Sequence, residues 1–203
     1  MKLEVQNLIS EFVYKGGDKP ELTKVIHGEV GRFNFATNGS IALAVEPCMC
    51  GGLEVVHNGA WCDKIHDVFV DVNCTEFFCC GRLHQAAHKA FNRAAEWVNR
   101  GIGAFDEGWD WHDEIVKRSF VRIGSVVVQA VYAVNIFRMK LAMQGKEMTI
   151  GVDSDRQMVL ARFSDPETRK PCAKILVMGV VLENAVAGSC VFDAETAELV
   201  EEK

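Results

Sequence analysis

The chain has 203 residues, with 22 basic and 28 acidic side chains and a net charge of −6. That length supports one large domain or two small ones, and 49% hydrophobic with 25% charged residues is the balance of a soluble globular protein. The acidic balance excludes wholesale electrostatic adhesion to nucleic acid and leaves only a local basic face as a route to it. No apolar run reaches the roughly 18 residues of a membrane span. Met1-Lys2-Leu3-Glu4-Val5-Gln6 lacks the basic start and apolar core of a secretion signal, so a cytoplasmic protein without membrane contact is the expectation. Eight cysteines in that setting are expected to stay reduced, most as small buried hydrophobes.

Residues 2–15 hold two apolar runs, Leu3 to Val5 and Leu8 to Tyr14, closed by a polar stretch from Lys15 to Pro20. Glu21 to Ile26 fits a short helix or a strand equally. The clearest hairpin follows: Arg32 to Thr37, then Asn38-Gly39, then Ser40 to Val45. Asn-Gly suits a type I′ turn, whose two central residues need positive φ. A strict two-residue turn puts Phe33 and Phe35 with Ala42 and Ala44 on one face. Asn34, Ala36, Ile41, Leu43 and Val45 then share the other.

Residues 47–81 form an irregular, Cys/His-rich region with strands predicted over Leu53 to Val56 and Asp67 to Val72. A helix from Arg82 to Arg100 is predicted next, because Leu83, Ala86, Ala87, Ala90, Phe91, Ala94, Trp97 and Val98 fill one face at the helical period. Gly101 and Gly103 stop it, and 104–114 reads as an acidic loop. From Arg118 the pattern becomes strand (Ser119 to Ile123), helix (Val126 to Met143), then three strands: Glu147 to Val152, Arg156 to Phe163 and Ala173 to Leu182. The 126–143 helix has two apolar stripes, one through Val127, Val131, Val134, Phe137 and Leu141, the other through Val128, Tyr132, Ile136, Met139 and Met143. Its polar strip is narrow, with Gln129, Ala133, Lys140 and Gln144, so it is expected to be buried on most sides, by a sheet and by a second copy of the chain.

Two of these segments resemble the bacterial DNA sliding clamps of the polymerase III β-subunit type. Phe35-Ala36-Thr37-Asn38-Gly39-Ser40-Ile41-Ala42-Leu43-Ala44-Val45 is similar to the clamp hairpin Ala-Thr-Asp-Gly-x-x-Leu-Ala, and Phe120 to Leu182 resembles a clamp half-domain with its closing strand at Ala173 to Leu182. Together they touch about 75 residues. Asn38 stands where the family usually has Asp, and Gly179 where it usually has Pro. The resemblance implies an α+β, DNA-clamp-like fold: antiparallel β-sheets backed by two helices, from two β-α-β-β-β halves, 1–115 and 116–203, in one domain. It also implies a non-enzymatic clamp or clamp-derived accessory factor that binds duplex DNA without reading sequence, with a phage or mobile-element source as part of that expectation.

The residues offer two candidate surfaces. Arg82, Lys89, Arg93 and Arg100 fall within roughly 40° of one another around their helix, a one-sided basic ridge suited to phosphates; the 126–143 helix adds Lys140. On the opposite flank His84 and His88 are i, i+4, one turn after Cys79 and Cys80. With one upstream thiol from Cys48, Cys50, Cys62 or Cys74 they make a conceivable zinc set, and a zinc-binding interaction module is the alternative function. A Cys–His nucleophile requires a base and an orienting group that no spacing here specifies. The acidic run Asp106, Glu107, Asp110, Asp113, Glu114 lacks the ligand order of a calcium loop, and neither Gly51-Gly52 nor Gly101-x-Gly103 matches a phosphate-binding fingerprint, so no nucleotide cofactor is expected.

Overall fold

The computed structural model describes residues 2–28, 33–78, 81–101 and 110–203. It is a mixed α+β structure with five α-helices and two sheets among those residues. In chain order they are α1 (Lys2–Phe12), β1 (Val25–Ile26), β2 (Asn34–Thr37), β3 (Ile41–Val45), β4 (Val55–Val56), α2 (Gly59–Asp71), β5 (Glu76–Phe78), α3 (Leu83–Arg100), α4 (Trp111–Arg118), β6 (Ser119–Ile123), β7 (Val126–Gln129), α5 (Ala130–Ala142), β8 (Glu147–Asp153), β9 (Met158–Ser164), β10 (Pro171–Met178), β11 (Cys190–Asp193) and β12 (Leu199–Glu202). Two compact units result, one from residues 1–77 and 138–178, the other from 78–137 and 179–203. Neither is a contiguous half of the sequence. None of the described helices is long and apolar enough to cross a membrane.

The first unit is built on an eight-stranded sheet of order β4-β1-β2-β3-β10-β9-β8-β5. Its six inner strands are antiparallel and read as two mirrored trios, β1-β2-β3 and β10-β9-β8, joined along β3 and β10. A helix precedes each trio in the chain: α1 before β1, α5 before β8. The helix ahead of the first trio is α1, and the 83–100 helix belongs to the second unit. Alternation places Phe33, Phe35, Ala44, Leu160 and Leu176 on one face, in a core with Cys62, Ile65 and Phe69 of α2. Phe35 and Phe69 stack with centroids 6.0 Å apart. Each buried Phe, Leu or Ile in this core contributes roughly 1.5–3 kcal/mol over its exposed state. α1 buries Val5, Leu8, Ile9 and Phe12 and packs against β2 and β3.

The β2–β3 hairpin forms with the expected faces but a shifted register: Phe35 pairs with Ala44 and Thr37 with Ala42. Gly39 has φ +96° and Asn38 is not in the left-handed region, so the turn is not type I′. The Asn38 side chain instead accepts the backbone N–H groups of Ser40 and Ile41, at 3.0 and 3.1 Å, which moves the two central positions to Gly39 and Ser40. Four further expectations change. Asp67 to Asp71 lies in helix α2, not a strand, and of 53–56 only Val55–Val56 is extended. Trp111–Arg118 of the expected loop and its flank is helix α4, capped by Asp110, whose carboxylate accepts from His112 and Asp113 N–H. Val126–Gln129 is a strand, so the following helix starts at Ala130. Ala133, read as part of a polar strip, is fully buried in the stripe Ala130, Ala133, Ile136, Met139 and Ala142, while Leu141 is 56% exposed.

The second unit carries a four-stranded sheet, β12-β11-β6-β7, with β11 and β6 parallel. α3 covers β6 and β11 and packs beside α4. Its alanine face (Ala86, Ala87, Ala90, Ala94) is fully buried, and small side chains let the helix backbone approach the strands. Ser119 Oγ and Cys190 Sγ each donate to the Ala90 carbonyl at 3.3 Å.

Candidate functional site

The α3 ridge forms where periodicity places it, and its cations have partners within the second unit. Arg82 donates to the Thr196 carbonyl at 3.0 Å and Lys89 to the Ala197 carbonyl at 2.8 Å. Arg93 clasps Glu202 through two N–H groups at 2.9 Å each and also reaches Glu96 at 3.3 Å. Those hydrogen bonds raise the Arg93 pKa, and the Arg93 bond is the main reason the Glu202 carboxyl lies below its ordinary range, with Arg100 adding to it. The turn offering these carbonyls is fixed by Asp193: one carboxylate oxygen accepts Glu195 and Thr196 N–H at 3.0 Å, the other accepts Arg122 at 3.1 Å. The β11–β12 hairpin thus lies along the ridge and uses it.

His84 and His88 have ring centroids 6.4 Å apart. His84 packs on Phe137 at 4.5 Å, and His88 Nδ1 meets the Asn92 amide at 3.2 Å. Cys79 and Cys80 lie outside the described residues. Among the described residues no three His, Cys, Asp or Glu side chains converge as metal ligands. The upstream thiols Cys48, Cys50, Cys62 and Cys74 are free, and burial pushes Cys50 and Cys74 up from their ordinary range.

Two concave surfaces in the first unit were not singled out in the sequence. The first is a mostly apolar recess of about 200 Å³ at the turn end of β2–β3. Ile41 and Ala42 of β3, Leu176 and Met178 of β10, and Trp61, Ile65 and Val68 of α2 form its walls. Lys19 and Lys64 stand at its edge as exposed cations, Lys64 Nζ lying 5.1 Å from the Trp61 ring centroid. Trp61, Ile65 and Val68 are i, i+4 and i+7, the spacing of one helix face; reading 67–72 as a strand hid it. Such a recess accepts an apolar group, with positive charge at its mouth for an acidic neighbour.

The second is a wider groove of about 640 Å³ lined by Asn7 and Leu8 of α1 and by Arg138, Lys140, Leu141, Ala142 and Gln144 at the end of α5. Arg138 bridges to Glu11 of α1 with bonds of 2.5 and 2.9 Å, which holds the two helices together and raises the Arg138 pKa. Lys140, Asn7 and Gln144 are exposed beside this pair. Lys140, the one ridge-independent candidate for DNA contact, therefore sits with hydrogen-bonding neighbours on both helices. Compared with protein-family models, with curated proteins and with solved structures, the chain matches none.

Proposed function

We propose that this chain is a clamp-like, DNA-associated protein that acts by binding, with duplex DNA along the α1/α5 groove and a partner's apolar group in the recess beside the β2–β3 turn. The observation that carries this reading is the mirrored sheet order β1-β2-β3-β10-β9-β8 with a helix ahead of each trio. It agrees with the paired halves that the clamp resemblance implies. The hairpin of Phe35 to Val45 lies in it, as do β8, β9 and β10 of the 120–182 segment, whereas β6 and β7 of that segment belong to the four-stranded sheet. Clamp helices face the DNA, and here the helices heading the trios are α1 and α5. Lys140 supplies positive charge, and Asn7 and Gln144 supply donors that meet phosphate oxygens without reading bases. Of the other cations expected to touch DNA, Arg82, Lys89 and Arg93 are engaged by the β11–β12 hairpin, which favours the groove over the α3 ridge in the folded chain. A ring also needs copies of the chain to associate; the half-buried Val131, Val134 and Phe137 and the exposed Leu141 are the surface expected to do so.

The test is a titration of a labelled duplex at several salt concentrations. Association that weakens steeply between roughly 50 and 200 mM salt, is indifferent to base sequence and is lost in Lys140→Glu supports the reading. Absence of association at the lowest salt overturns it.

A further inference from the structure

The β11–β12 hairpin does more than complete a sheet. Its turn and outer strand, residues 194–203, carry Glu195, Glu198, Glu201 and Glu202 against a single Lys203. The face of α3 beneath carries Arg82, Lys89, Arg93 and Arg100. Three of these cations are met by separate acceptors at three places along the hairpin: the Thr196 carbonyl, the Ala197 carbonyl and the Glu202 carboxylate. From Arg82 to Arg100 the ridge runs roughly 27 Å at 1.5 Å per residue, a row of positive charge of the kind that follows a phosphate backbone.

We propose that the hairpin is a built-in cover that occupies, with its own acidic groups and carbonyls, a cationic face of α3 that takes a nucleic-acid phosphate backbone when β12 lifts. The cover is built from a weakly held element. β12 is the outer strand of its sheet, all four of its residues are exposed, and its pairing with β11 slips register between Val191 and Phe192. Strands with exposed hydrogen bonds at a sheet edge open at lower free energy than the core. The ridge itself belongs to the stable part, since the opposite face of α3 buries Leu83, Ala86, Ala87, Ala90, Ala94 and Val98. Lifting the strand therefore frees Arg93 beside the exposed Arg100, and Arg82 and Lys89 join the row as the 194–197 turn follows.

The test uses the full chain carrying Lys140→Glu, so that the α1/α5 groove contributes nothing and the groove reading can succeed or fail separately. Glu202→Lys sets a cation against Arg93 and Arg100 and drives β12 off; Glu202→Gln is a gentler form that frees Arg93 while keeping shape. Glu183→Lys, an exposed site outside the hairpin, changes net charge equally and serves as the control. The probe is a labelled duplex of random sequence, with circular dichroism to check folding. The expected result is duplex affinity on the order of tenfold tighter in Glu202→Lys than in Glu183→Lys, with a steeper salt dependence. Glu202→Gln should fall between them, and adding Arg93→Ala and Lys89→Ala should abolish the gain. Equal affinity in the two lysine variants, or a gain that survives loss of Arg93 and Lys89, overturns the proposal.

Discussion

Leu43 stands directly opposite Ile175 at the middle of the β3–β10 pairing, and both are fully buried. On either side the pairs repeat in mirrored order, Ala44 with Lys174 and Ala42 with Leu176, so this pair marks the seam between the two strand trios. Replacing either residue by Ala removes methyl groups from a site walled by both halves, which has little freedom to collapse. Leu43→Ala and Ile175→Ala are each expected to cost about 2–5 kcal/mol, read as a fall in the urea midpoint with an unchanged slope. A cost below about 1 kcal/mol for both would mean that the seam is not a packed core.

The seam shows where the sequence was informative. The Asn38-Gly39 hairpin pattern marks β2 and β3, and the apolar runs between polar breaks in 147–178 mark β8, β9 and β10, whereas two-residue β1 fits helix or strand equally by local pattern. The helix ahead of each trio was only half visible. α1 is too short and too mixed (Lys2, Glu4, Gln6, Asn7, Ser10, Glu11) for its apolar positions to stand out beside the more regular α3. Burial of α1 is set by contact with β2 and β3, information that no local window contains. The fate of the α3 ridge was hidden for a similar reason, as its partners Thr196, Ala197 and Glu202 lie more than a hundred residues downstream.

Gly188 is a position where the backbone leaves no alternative. Its φ is +81°, and a Cβ there would sit 2.1 Å from Cδ2 of Trp97, an indole also held by the Arg118 guanidinium 4.7 Å from its ring. Gly188→Ala combines a left-handed conformation with a clash against a side chain wedged on its other face. The substitution is expected to destabilise by about 2 kcal/mol or more and to shift Trp97 fluorescence. Gly39→Ala also meets a positive φ but open space, so it should cost about 1 kcal/mol. Equal losses at the two sites would show that the indole contact contributes nothing.

Acid sensitivity follows from Asp165. Its carboxylate accepts Lys146 Nζ at 2.7 Å and the N–H groups of Thr168 and Glu167 at 2.9 and 3.1 Å. The Lys146 bond is the largest cause that holds its pKa far below the ordinary 3.8. A depressed carboxyl pKa gives stability that is complete above the unfolded value and lost as pH falls through the folded one. The same pair raises the Lys146 pKa from 10.5, so that part persists through neutral pH and is lost only in strong base. Asp165→Asn should therefore be less stable than the parent at about pH 7, and the gap should close as pH drops below about 4. Thermal melts of both proteins across that range measure it, and a gap that stays constant to about pH 2 would exclude the linkage.

Thiol reactivity separates the cysteines by environment. Cys48 is exposed, whereas Cys190 is fully buried, donates to the Ala90 carbonyl at 3.3 Å and is pushed up to about 12, chiefly by burial and then by Glu202. Nucleophilic attack requires the thiolate. Relative to a thiol at the ordinary 9.0, Cys190 holds roughly a thousandfold less thiolate near pH 8, before any loss of access is counted. Brief maleimide treatment of the native protein, followed by peptide mapping, should find Cys48 modified and Cys190 intact, and a denaturant should bring the two to similar rates. Because Cys190 sits on β11 under α3, its protection also reports on the sheet. In Glu202→Lys, β12 opens while β11 remains paired to β6, so Cys190 should stay protected in that variant. Labelling of Cys190 there would mean that the whole hairpin, and not the outer strand alone, comes away from α3.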